Sequence, residues 1–357
     1  MRFSASEMPR LVSCPGSKSL QKQYPDTSRR EATEGTVAAA VAEDCFKSGG
    51  SPVDYLGTSR QNVYIDQDMV HHLSLYVDHC RSLGRGIAED KQEMNTGFGE
   101  LVGIPDYWFW DSAGCVLYVR DLKYGHGWVE VFENYQLLSY ALLLMHSHVN
   151  RINLGIVQPR ANHPDGPIRV WEFSADDIRP YRNWINDAIE RAAMPEPPVQ
   201  TGNHCRYCRA LLHCHAARNA AGGSLDYAGL AGHGPLEPEQ FGPEMNLLDR
   251  AVTMLTQRKA AMEAEGLAMI KAGKILPGWE ARSTMGAMAW GPDAIAAGDM
   301  LGVDLRKPAK AITPKQAVDR GILTARAVRD LAPRKPGAMK LKRVDIGAAR
   351  RIISGLT

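Results

Sequence analysis

Apolar positions along the chain follow two rhythms. From Asn134 to His148, the residues Leu137, Tyr140, Ala141, Leu144, Met145 and His148 share one face at three- and four-residue steps, which predicts an amphipathic helix. Ala-rich Glu34 to Phe46 and the stretch Asp66 to Arg85 predict two more helices upstream. Elsewhere the rhythm is extended. Leu101 to Trp110, a turn at Asp111–Gly114 and the apolar run Cys115 to Val119 predict two strands. Trp128 to Phe132 alternates after the Gly125–Gly127 turn and predicts a third, with Arg151 to Gln158 and Trp171 to Phe173 beyond it. Ser174 predicts a helix cap, with Asp176 and Asp177 in the first turn and Pro180 soon after. A helix, then strand–strand–helix–strand, describes an α/β sandwich.

The pattern changes past residue 219. Residues 220–242 are Gly- and Pro-rich and read as a linker. Pro243 then opens a long helical run to Ala272, with Gly273 as its stop and Gly266 as an internal weak point. Unbroken, that helix would span about 45 Å. Its Met-rich part, Met254 to Met269, reads as helix packing, and Thr313, Thr324 and Asp345 each mark a further helix start. The chain thus divides into a core at 1–219, a linker at 220–242 and a helical region at 243–357.

Composition adds limits. The 357 residues are 44 % hydrophobic and 23 % charged, which excludes a disordered or fibrous chain. No apolar run reaches the roughly 20 residues that cross a bilayer, and MRFSASEMPR has no leader character. The expectation is a cytoplasmic protein with no membrane partner. The net charge of +2 hides a polarity: Leu301 to Thr357 hold 14 Lys and Arg against 4 Asp and Glu, whereas the rest hold 28 against 36. A basic terminal segment is a footprint for a polyanion.

Two groups of residues carry chemistry. In IPDYWFWDSAGCVLYVRDLKYGHG, Asp121 and Lys123 lie two apart on a strand and so share a face, and a turn can bring Asp106 beside them. Asp106, Asp121 and the Leu122 carbonyl are hard oxygen ligands suited to Mg²⁺ or Mn²⁺. Lys123 could hold a water or balance charge on a phosphoryl transition state. The second group is cysteine. Seven thiols without an export signal argue against disulfides. Cys205, Cys208 and Cys214 form C-x2-C-x5-C, Cys14 stands far upstream, and Cys45, Cys80 and Cys115 read as packing. Tetrahedral sulfur suits zinc or an iron–sulfur cluster, and His204, His213 and His215 keep a Cys3His zinc site open.

At these residues the chain resembles a family. Pro105–Asp106 followed by Asp121–Leu122–Lys123 resembles the PD-(D/E)XK nuclease signature, and Gln136 with Tyr140 resembles the Q-x3-Y motif of RecB-like nucleases. One early cysteine followed by C-x2-C-x5-C is similar to the members stapled by an iron–sulfur cluster, such as the AddB nuclease domain and CRISPR-adaptation exonucleases. CPGS, DLKYG and IVQPR are closest to the phage-encoded branch.

The resemblance covers Pro9 to Ala217 and implies a restriction-endonuclease-like core with a central mixed sheet flanked by helices. It implies a DNA exonuclease of recombination or repair, with Asp106, Asp121, Lys123, Gln136 and Tyr140 at the active site. It implies Mg or Mn, and a 4Fe-4S cluster, with zinc as the alternative, on Cys14, Cys205, Cys208 and Cys214. DNA would meet Tyr124, Gln136, Tyr140 and the basic Lys340, Lys342 and Arg343. A phage recombinase or single-strand-binding protein would be a partner, and a homo-oligomer is allowed.

One position departs from the pattern. The family helix carries a metal-binding His in G-x3-H-x3-E, but here Gly35 is followed by Ala39 and Glu43. Glu43 lies one turn on and is the candidate substitute ligand. The alternative is a weakened or inactive DNA-binding scaffold. A redox-sensing iron–sulfur protein is a third reading.

Overall fold

The computed structural model describes residues 1–24, 30–228, 237–281 and Met300. Residues Met1–Lys274 belong to one compact unit; nearly all of a second, Ile275–Ala349, lies outside the described residues. So do Lys340, Lys342, Arg343 and the helix starts expected beyond Met300.

The strands in chain order are β1 (Arg2–Ser4), β2 (Ser59–Arg60), β3 (Val63–Tyr64), β4 (Gln92–Asn95), β5 (Glu100–Gly103), β6 (Tyr107–Asp111), β7 (Val116–Leu122), β8 (Arg151–Val157) and β9 (Ile168–Ser174). The helices are α1 (Met8–Ser13), α2 (Ser17–Gln21), α3 (Arg30–Ser48), α4 (Gln67–Leu83), α5 (Tyr135–Leu144), α6 (Arg179–Ala193), α7 (His215–Ala228) and α8 (Pro238–Lys271).

The main sheet has the order β6-β7-β8-β9. β6 and β9 run antiparallel to their neighbours, while β7 and β8 are parallel. A parallel pair needs a crossover, and α5 supplies it. β7 is buried at nearly every position because both faces are covered, whereas edge strand β9 alternates. Leu117 and Val119 pack with Leu137, Leu138 and Ala141 of α5 and Ile185 and Ile189 of α6. Leu122 and Tyr124 join Val37, Val41 and Cys45 of α3 and Leu73, Val77 and Cys80 of α4. By alternation, Asp121 points to the α5 side and Arg120 to the α4 side. β1 pairs parallel with β5, and β4 pairs antiparallel with it, in a separate small sheet.

Several elements differ from the sequence pattern. The extended run Leu101 to Trp110 is two strands, β5 and β6, broken at Ile104–Asp106. Pro105 has no N–H to give a ladder, so the break falls there and leaves Asp106 at a strand end. Trp128 to Phe132 is not a strand. Its backbone is satisfied by side chains instead: Val129 N–H donates to Gln158 Oε1 (3.2 Å), and Arg169 Nη2 donates to the Val129 carbonyl (2.7 Å). Gln158 Nε2 also donates to the carbonyls of Gly125 and Gly127. α5 stops at Leu144, short of His148.

The linker expected at 220–242 is narrower, since α7 reaches Ala228 and α8 begins at Pro238. Pro243 lies inside α8 rather than at its start, and Gly266 does not interrupt it. The methionines of α8 divide: Met254 is buried against the cysteine segment, while Met262 is exposed. Of the cysteines read as packing, Cys45 and Cys80 are fully buried, and Cys115 is partly exposed.

Candidate active site and cysteine pocket

β7 ends in Asp121 and Leu122, and Lys123 continues its path, with its N–H on the Val157 carbonyl of β8 (2.9 Å). Lys123 Nζ lies 2.8 Å from Asp121 Oδ2 and donates to Gln136 Oε1 at 3.0 Å. Gln136 Nε2 donates to Asp121 Oδ1 and to the Tyr140 hydroxyl, both at 2.9 Å. Asp106 reaches the same strand end, where its Oδ2 accepts the Leu122 N–H at 2.6 Å. Asp106, Asp121, Lys123, Gln136 and Tyr140 therefore form one connected cluster. Asn134 caps α5 by accepting the N–H groups of Gln136 and Leu137 (3.1 and 3.3 Å), which sets where Gln136 begins the helix.

The cluster is electrostatically loaded. Asp121 is 1 % exposed, and its Oδ2 makes no hydrogen bond, since the close Lys123 ammonium lacks hydrogen-bond geometry. Burial, and then the Asp121 charge, push the Asp106 carboxyl well above the usual carboxylate range, against Lys123 and the Leu122 N–H. Burial would lower the Lys123 ammonium, but the close Asp121 carboxylate and the charge of Asp106 raise it instead. Among the described residues, no three His, Cys, Asp or Glu side chains gather to hold a metal. Mg²⁺ typically takes one or two carboxylates and keeps its waters. The hard, buried oxygens of Asp106 and Asp121, one of them without a hydrogen bond, fit that chemistry.

Other expected residues fall differently. Tyr124 is 7 % exposed, packed in the core with the Arg160 guanidinium 4.7 Å over its ring, so it offers no face to DNA. Tyr140 is also buried and holds Gln136 rather than facing outward. Glu43 is ion-paired with Lys47 one turn on. Glu89 had no motif to mark it in the sequence. Its signal was tertiary: Ile87 bridges Trp108, and the Glu89 N–H donates to the Pro105 carbonyl (3.1 Å), which sets Glu89 beside Pro105, the residue before Asp106.

Cys14, Cys205, Cys208 and Cys214 line one cavity of about 10 Å³, together with His204. Tertiary contacts close the long gap in sequence. Gly16 N–H donates to the Pro198 carbonyl, and a Cβ at Gly16 would lie 2.6 Å from Val199. The Gln200 N–H points to Cys14 Sγ (3.5 Å), and the Gly202 N–H to Cys205 Sγ (3.4 Å). Burial raises the Cys208 thiol, which favours its protonated form unless a cation lies beside it. The four thiols line one cavity without being gathered closely enough to grip an ion as they stand, and soft sulfur donors, two of them facing N–H groups, are the chemistry of a sulfur-ligated metal. His213 instead stacks on Tyr24 at 4.8 Å.

Comparison with known proteins adds two findings. A solved structure titled "Crystal structure of SSO0001" is 17 % identical, covers 60 % of this chain and 86 % of that one, and superposes at a TM-score of 0.34, too low to show a shared fold. A family model described as "Protein of unknown function (DUF2800)" matches residues 1–286, and the chain belongs to that family.

Proposed function

We propose that this protein is a divalent-cation-dependent deoxyribonuclease, working as an exonuclease on the DNA of recombination or repair. The observation that supports it is the connected cluster of Asp106, Asp121, Lys123, Gln136 and Tyr140 at the end of β7. The mixed β6–β9 sheet with α5 as crossover suits a PD-(D/E)XK core, with the chemistry at the strand end. Asp106 and Asp121 would hold the cation, and Leu122 lies between with its N–H already on Asp106. A bound Mg²⁺ or Mn²⁺ polarises the scissile phosphate and lowers the pKa of water. Lys123 is held by Asp121 and Gln136 and so keeps its ammonium aimed at the site, where it balances charge on the phosphoryl group. Tyr140 fixes Gln136, and Gln136 fixes both charged partners. The four-cysteine pocket would carry an iron–sulfur cluster, with zinc as the alternative.

Cleavage of end-labelled single- and double-stranded DNA with Mg²⁺ or Mn²⁺ tests this reading. The native chain should cut, and Asp121→Ala and Lys123→Ala should each lose about 100-fold or more. Equal cutting by all three would defeat the proposal. Ala39 favours a second reading, a scaffold with weak catalysis. On that reading the native chain cuts poorly and Ala39→His raises cleavage; no change on Ala39→His would remove position 39 from the metal shell.

A further inference from the structure

Glu89 is a carboxylate that the mechanism above does not use. It lies just beyond α4, where residues 87–89 run antiparallel along β6. Ile87 exchanges both backbone hydrogen bonds with Trp108 (2.8 and 2.9 Å) in an isolated bridge, beyond which the pairing slips by one residue. The Glu89 N–H meets Pro105, the residue before Asp106, and its φ of +52° departs from the extended path. Its side chain is partly exposed, and among the described residues no hydrogen bond or ion pair holds it. It is close enough for its charge to be felt by Asp106 and Tyr140, and it in turn feels Glu43, Lys47 and Asp121.

The charges around this point do not balance. Once Asp106 ionises, the carboxylates of Glu43, Glu89, Asp106 and Asp121 outnumber the ammonium groups of Lys47 and Lys123. Within the cluster, Asp121 Oδ2 is buried without a hydrogen bond. A dipositive ion beside Asp106 and Asp121 would restore the balance. Glu89 is not gathered with them closely enough to be a direct ligand, but a cation that keeps its waters needs acceptors for them beyond its own ligands. We infer that Glu89 is an outer carboxylate of the cation site, accepting from the ion's hydration shell on the side opposite β7. It is a positioning residue, and the inference rests on the cation reading of Asp106 and Asp121.

The test is Mn²⁺ binding by the full chain, followed by electron paramagnetic resonance, without DNA and without turnover. Glu89→Gln should weaken Mn²⁺ by about tenfold or more, while Glu89→Asp, which keeps the charge, should stay much closer to the native chain. Thermal unfolding of each variant confirms that the fold is kept, and Glu89→Ala, which also removes the charge, carries the comparison where Glu89→Gln does not fold. Native affinity in Glu89→Gln, or an equal loss in Glu89→Gln and Glu89→Asp, overturns the inference. Asp121→Asn separates the two levels. If it abolishes binding while Glu89→Gln does not, only the role of Glu89 fails. If it binds as the native chain does, or the native chain binds no Mn²⁺, the cation reading falls and this inference with it.

Discussion

Arg120 shows how one side chain links the site to the body of the protein. It follows Val119 and precedes Asp121, it is 1 % exposed, and among the described residues no carboxylate pairs with it. Its Nη1 donates to the Val119 and Asn153 carbonyls, its Nη2 to Asn153 Oδ1, and its Nε to His79 Nε2 at 3.0 Å. That last bond requires an unprotonated His79 nitrogen. Burial, and then the Arg120 charge, lower the His79 pKa from its ordinary 6.5. The native protein therefore binds fewer protons than the unfolded chain in this range. The stability from His79 is present above 6.5 and is lost as pH falls below it, through the lowered folded value. Unfolding by urea at stepped pH should show a steeper decline below 6.5 for the native chain than for His79→Gln. Parallel curves would contradict the assignment.

At the next residue position, Gly155 of β8 lies across from Arg120 in register. A Cβ there would stand 2.7 Å from Arg120 Cδ and 2.8 Å from its Nε. The guanidinium is tied to three residues and cannot give way cheaply. Gly155→Ala should cost about 1–3 kcal/mol in urea unfolding. An unchanged midpoint would mean that Arg120 moves aside.

At the scale of elements, α5 does two jobs. Leu137, Leu138 and Ala141 bury one face against the sheet, and Gln136 and Tyr140 on another hold Asp121 and Lys123. Both depend on where the helix starts, which Asn134 decides. Asn134→Ala should lower stability by about 1 kcal/mol and also slow DNA cleavage, because Gln136 loses its fixed place. A stability loss with unchanged cleavage would separate the cap from the site. The periodicity of 134–148 marked this helix and the burial of Leu137, Tyr140, Ala141 and Leu144, which follow from local spacing, but Leu138, Ser139 and Leu142 are buried too and His148 is exposed. The end of the helix was not legible, because Met145 and His148 keep the helical spacing although the helix stops at Leu144, and only packing decides where the chain leaves. The same limit applies to Trp128 to Phe132. Its alternation is that of a strand, but Gln158 and Arg169 take its backbone groups, and no local signal announces a side chain from a distant strand.

At the scale of the molecule, residues of the N-terminal segment meet the cysteine segment nearly two hundred positions on. Cys14 lines the same cavity as Cys205, Cys208 and Cys214. Gln21 accepts from Arg209, and Arg10 donates to the Tyr207 carbonyl. A metal there would join the two ends of the core, and its binding energy would become folding energy. Protein purified without oxygen should be coloured if the centre is iron–sulfur and colourless if it is zinc. In either case Cys14→Ser and removal of the metal by a chelator should lower the Tm together. A Cys14→Ser protein as stable as the native chain would refute the staple.

The sequence by itself determined which residue types were available for chemistry and which of them lie near each other along one element. Asp121 and Lys123 share a strand face and Gln136 and Tyr140 a helix face because period two and period 3.6 are local properties of the backbone. The uneven charge and the cysteine spacing were equally plain. Tertiary structure alone decided what those faces meet. It buried Tyr124, brought Cys14 to the cavity lined by Cys205, Cys208 and Cys214, and set Glu89 beside Pro105. Each of these depends on strand register and on packing between segments far apart in the chain, which no local pattern encodes.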